Sequence, residues 1–207
     1  MRVQSVDYSQ IATASATVAK EASDINIAAK KVFDLVQDLH ISWTGKRYNN
    51  LVEQFNKIVT DMNNLLALVV TDLPYFLSSA ANIYSQAVEG RNITTVIVNK
   101  PNSISKLPVY NDKNIKFLEE AAKDKNVAIS NQFNEIKSSM ATIQSVLNSI
   151  NWESQTSREF KDTFTKLKTK IDTYLTEIKT AYAKLMNSAI TDMQAIENIN
   201  KKISSSI

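Results

Sequence analysis

Four long stretches of this chain repeat apolar residues at alternating steps of three and four, the spacing that lines one face of an α-helix in a bundle. The first stripe runs Ile11, Val18, Ala22, Ile25, Ala29, Val32, Val36, Leu39, with Ser15 at the missing step. The second runs Leu51, Phe55, Ile58, Met62, Leu65, Val69 and continues through Leu73, Phe76, Ala80, Ile83 and Ala87. The third runs Leu118, Ala122, Ile129, Phe133, Ile136, Met140, Ile143, Leu147, Ile150. The fourth begins Phe160, Phe164, Leu167, Ile171, Tyr174, Ile178 and continues through Leu185, Ala189, Met193, Ile196, Ile199 and Ile203. Four stripes with three breaks predict an all-α fold. Glycine usage agrees. The chain has 2 glycines in 207 residues, against roughly 15 at average usage, too few for the turns and bulges of a many-stranded β protein or for a glycine-rich phosphate loop.

The breaks divide the chain into two helical hairpins, 1–89 with a turn at 40–45 and 113–207 with a turn at 150–154, joined by a linker at 90–112. Ser42 and Asn151 are the expected N-caps after the two turns. Gly90 is the expected C-cap before the linker, which holds Pro101, Pro108 and the β-branched run Ile93 to Val98. Pro74 falls inside the second stripe and predicts a kink costing about 3 kcal/mol. Placing Trp43 on Trp152 pairs Leu51 with Phe160, Phe55 with Phe164 and Met62 with Ile171, an internal repeat of 109 residues. The first hairpin carries 7 Lys/Arg against 9 Asp/Glu and the second 14 against 11, a mild complementarity that steers the two together. These features predict two helical hairpins within one chain. Packed antiparallel as one four-helix bundle, with the Trp turns at opposite ends, they would require the linker to travel the bundle's length, whereas a parallel arrangement would need only a short loop of about 2–8 residues. A helix over 46–88 is ~64 Å long, and the linker extended reaches at most ~75 Å, just enough to return along it. Its Ile93 to Val98 run is then expected against the bundle.

Little in the chain suits chemistry. There is no cysteine and one histidine, His40, so thiolate metal sites, disulfides and His-based triads are excluded. The carboxylates sit beside lysines, as Glu119 and Glu120 do beside Lys123, in the manner of a solvated face. No catalytic residue, cofactor or metal is expected, and a net charge of +3 does not imply nucleic acid. No apolar run follows Met1-Arg2, so no cleavable signal peptide is expected. The greasy stretch Leu65 to Leu77 holds Asp72 and Pro74 and is short of the ~20 residues that span a bilayer. Membrane contact is therefore not expected, although a kinked apolar helix keeps a membrane-active, pore-forming toxin component as the alternative.

Trp43-Thr44-Gly45, set in the turn between two long amphipathic helices, resembles the WXG family, the early-secreted-antigen-like proteins of type VII (ESX-like) secretion. The second copy, Trp152-Glu153-Ser154, has lost the glycine. Members pair as antiparallel dimers of hairpins, and this chain resembles such a pair fused into one. The resemblance implies a non-enzymatic secreted substrate or chaperone-like partner, made in a bacterial cytoplasm and exported to the medium or cell surface. It would recognise a helical protein partner or the secretion ATPase, with Trp43, Gly45, Trp152 and Ser154 as the docking motif. The family's Tyr-x-x-x-Asp/Glu export signal is absent; Tyr84 with Glu89 is nearest, one residue too far apart.

Overall fold

The computed structural model describes residues 6–205; the expectation of no leader, which rests on the first residues, lies outside them. Among the described residues the fold is all-α: α1 (Tyr8–Leu39), α2 (Lys46–Leu66), a π-helical segment (Ala67–Asp72), α3 (Leu73–Glu89), α4 (Glu119–Ser149) and α5 (Gln155–Ser204). α2, the π segment and α3 form one continuous run. α1 packs chiefly along α4 and α3, and α2 along α5. Small residues on α1 (Ala14, Ser15, Ala22, Ala28, Ala29) are buried at these contacts and allow close approach. Phe55 touches Phe33 edge-on at 5.8 Å and Phe133 at 6.3 Å, joining the hairpins at mid-length. Lys170 pairs with Asp61 at 2.7 Å, two positions separated by the repeat length of 109. With Arg47–Asp192 and Lys125–Asp38, it gives three exposed ion pairs between the halves, each of small energetic weight.

Pro74 does not simply kink the helix. It has no N–H to give to residue 70, and the preceding turn widens so that the Leu73 N–H reaches Leu68 O, five residues back. A π segment inserts one extra residue and rotates everything after it by about 100°. Past Pro74 the expected stripe holds at Phe76, which packs on the core, and at Ala80, which is buried, and then slips at Ile83 and Ala87. Ile83 is 67% exposed, and Leu77, Ala81 and Ser85 are buried in its place. α5 shows a smaller slip, with Leu175 and Tyr182 buried. Its last stripe residues, Ile196, Ile199 and Ile203, are exposed rather than core. The run Lys46–Glu89 as a whole is long and apolar enough to cross a membrane, with a mean hydropathy of 1.3 over its most apolar window. Leu65 to Leu77 alone did not reveal this. That window is 56% buried within the protein.

The segment between α3 and α4 is a strap fastened along the outside of α2 and α3. Asn49, Asn56 and Asn63, spaced by heptads, each clamp one strap residue through both amide atoms. Oδ1 accepts the N–H, and Nδ2 donates to the C=O, of Tyr110, Leu107 and Ile104 respectively, at 2.7–3.2 Å. Seven helical residues advance about 10.5 Å and three extended residues about 10 Å, so the two periods stay in step. Within and beyond the π segment the fastening residues are Thr71, Ser78 and Ser85, which bind Asn99 O, Ile97 N–H and Arg91 O. The step from Asn63 to Thr71 is eight residues, and the π segment absorbs the extra one. Asn82 clamps Ile93 and Thr94 in the same manner. The strap's anchors are Ile104 and Leu107, 4% and 6% exposed. Of the run expected to pack, Ile93 is partly buried while Val98 stands 72% exposed.

Asn56→Ala leaves the N–H and C=O of Leu107 without their partners and is expected to lower unfolding free energy by about 1–3 kcal/mol. Asn64→Ala, at an exposed neighbour, is expected to change it by less than about 0.5 kcal/mol. Urea titration of both variants measures the difference.

Candidate functional site

Each tryptophan turn is built together with the segment leading into the other hairpin. At the first turn, Trp43 bridges Phe117, just before α4. Thr44 N–H donates to Lys116 O at 2.9 Å, Leu118 N–H to Ser42 O at 2.9 Å, and Thr44 Oγ1 to Asn114 O at 2.8 Å. At the second turn, Trp152 bridges Val6, just before α1, and Asp7 N–H donates to Asn151 O at 3.0 Å. The joints are reciprocal.

Both rings lie inside these joints. Trp43 is 1% exposed and meets Phe117 and Tyr182 edge-on at 5.3 and 5.9 Å. Trp152 is 6% exposed and contacts Phe76 at 5.4 Å and Tyr84 at 6.5 Å. Burial pushes the Tyr182 hydroxyl well above its ordinary pKa, and that hydroxyl donates to Ala122 O at 2.9 Å.

The capping assignments differ from the expectation. Ser42 does not cap α2; its hydroxyl donates to Leu39 O at 3.1 Å and closes α1. The N-cap is Gly45, at φ 88°, ψ −168°, a region that glycine alone occupies without strain. Asn151 does not cap α5 either. That role falls to Ser154, whose Oγ accepts the Ser157 N–H at 2.9 Å. Gly45 and Ser154, aligned by the repeat, thus hold the same position. Where the first turn has a glycine, the second has a serine that caps with its side chain from an ordinary extended backbone.

Tyr84 and Glu89 are engaged within the fold. Tyr84 packs on Trp152, and Glu89 accepts the Tyr8 hydroxyl at 2.6 Å and Arg91 Nε at 2.8 Å. The Tyr8 hydrogen bond, then Arg91, holds the Glu89 carboxyl below its ordinary pKa, while the same bond raises Tyr8. His40 ends α1, stacks on Tyr110 at 3.6 Å and meets Asp112 at 2.8 Å, pinning the end of the strap. Among the described residues, no three His, Cys, Asp or Glu side chains gather where they could hold a metal ion.

Sequence reasoning did not find the cavity beside the first turn. It measures about 220 Å³ and lies between Trp43, Gly45, Ile115, Phe117 and the α5 residues Ala189, Met193 and Ile196. Lys46, Arg47, Lys116 and Asp192 also line it. The only signal for it was the α5 stripe running on past the length of its neighbours. No family profile, curated protein or solved structure matches the chain.

Gly45→Ala is expected to cost about 1–3 kcal/mol from backbone strain, since an added Cβ would meet only Ile115 at an ordinary 3.8 Å. Ser154→Gly is expected to cost a few tenths and Ser154→Ala about 1 kcal/mol. Thermal and urea unfolding of the three variants check this ordering.

Proposed function

We propose that this chain is a non-enzymatic substrate or chaperone-like partner of a type VII (ESX-like) secretion system. Its two hairpins form an antiparallel four-helix bundle, a pseudo-dimer in one polypeptide that works by helix-to-helix recognition. The observation that carries the reading is the reciprocity of the turns: each tryptophan bridges the start of the opposite hairpin. Two separate hairpins pairing antiparallel would make the same two joints. The capping role shared by Gly45 and Ser154 supports treating the second turn as a version of the first. Because both rings are buried, recognition would use the surfaces around the turns. With Tyr84 and Glu89 tied up, a partner would supply the export signal.

A membrane-active helical toxin component is the second reading, favoured by the one helical run, Lys46–Glu89, long and apolar enough to cross a bilayer. Its apolar residues would have to leave the core, and the strap would have to be unfastened first.

In a bacterium that carries a type VII system, the tagged chain is expected in the medium when the secretion ATPase is present and retained when it is deleted. Equal release from both strains, or retention in both even with the system's other substrates co-expressed, contradicts the reading. Leakage of dye-loaded liposomes at neutral or acidic pH would instead support the second.

A further inference from the structure

Most exposed aliphatic side chains on this protein are scattered, but one end gathers several. α5 runs on past the first turn, and its seam continues through Ile196, Ile199 and Ile203, which are 39, 57 and 56% exposed. Ile115, 67% exposed, lines the same cavity as Met193 and Ile196, the first of the three. Steps of three and four are the spacing by which one helix packs on another. The seam here continues the one that is buried deeper in the protein at Ile178 and Tyr182.

Charge says what kind of helix fits. The cavity is rimmed by Lys46, Arg47 and Lys116 against one acid, Asp192. Three cations against one acid leave an excess of two positive charges around the cavity. Asp192 is already engaged by Arg47. A second copy would bring the same excess of positive charge and be repelled. We infer that this end of the molecule is a docking surface for an acidic amphipathic helix of another protein. The partner's apolar seam lies along Ile196, Ile199 and Ile203, and one bulky side chain fills the cavity beside Trp43. An apolar cavity of ~150 Å³ accepts benzene, so about 220 Å³ takes one aromatic ring. The inference rests on the partner-binding reading above and gives that partner its chemistry.

The test is a fluorescence-anisotropy titration with two labelled 21-residue amphipathic helices. They share a Leu seam containing one Phe; one is flanked by Glu, the other by Lys. The Glu peptide is expected to bind saturably, at least tenfold tighter than the Lys peptide, and to weaken as salt rises. Ile199→Asp with Ile203→Asp is expected to weaken it at least tenfold. Both positions are exposed, so circular dichroism and the thermal midpoint are expected to stay at wild-type values. Equal binding of the two peptides, no saturable binding, or full binding by the double variant overturns the inference. So does binding to phosphatidylserine vesicles with none to the Glu peptide, since the surface would then be a lipid-binding one. This assay contains no secretion apparatus. A failure here with ATPase-dependent export intact removes the docking surface alone, whereas peptide binding without export removes the secretion reading.

Discussion

An extended chain lying on a helix must find partners for its backbone amides, and that requirement organises one whole side of this protein. The strap crosses from the end of α3 to the start of α4 without entering a sheet, so its N–H and C=O groups depend on side chains. A carboxamide serves because it carries one acceptor and one donor at the spacing of a peptide unit. Placed every seven residues along α2, asparagines meet every third strap residue, because the two rises nearly match. The match would fail at Pro74, where the lost hydrogen bond disturbs the helix. The π segment both accommodates the proline and shifts the fastening residues from Asn63 to Thr71, keeping them on the strap side. Helix defect and strap register are one adjustment.

With the strap fastened, the hairpins meet through two matching joints. The first turn borrows four residues (Asn114, Lys116, Phe117, Leu118) and the second two (Val6, Asp7) from the approach to the other hairpin, so neither joint can form in an isolated hairpin. The ion pair between Asp61 and Lys170 links positions 109 residues apart, the spacing of the internal repeat. The halves are not equivalent on the outside. Where the strap wedges Ile104 and Leu107 between α1 and α2, the second hairpin bridges α4 and α5 directly, through Gln144 to Thr165 and Lys137 to Thr176. The charge asymmetry between the copies and the overhang of α5 follow the same division: one hairpin is wrapped, the other is bare and extended.

The helices were legible because packing writes helix contacts into the 3–4 spacing of apolar residues. The strap was half legible. Pro101, Pro108 and the reach from α3 to α4 required an extended path, but Ile93 to Val98 drew attention by β-branching while Ile104 and Leu107 were the anchors. The missed signal was the pairing of two periods, Asn49–Asn56–Asn63 against Ile104–Leu107–Tyr110. Asparagines on a helix read as solvated until something lies on them. Ile83 was misplaced because a π segment rotates the seam and leaves no mark beyond the proline. Both caps were misplaced by three residues because Ser42 and Asn151 are good cap formers, and only the tertiary joint fixes where each second helix starts. The exposed end of α5 looked like core because its spacing is that of core; sequence cannot say where neighbouring helices stop.

The arrangement of the two hairpins can be measured directly. The chain has no cysteine, so a pair introduced at the exposed positions Ile41 and Glu153 can be spin-labelled without background, and their separation read by double electron–electron resonance. α4 alone spans about 46 Å at 1.5 Å per residue. Turns at opposite ends of the molecule predict a single narrow distance of about 45–60 Å, unchanged by dilution. A distance below about 25 Å would put both turns at one end, and the strap, the reciprocal joints and the pseudo-dimer reading would fall together.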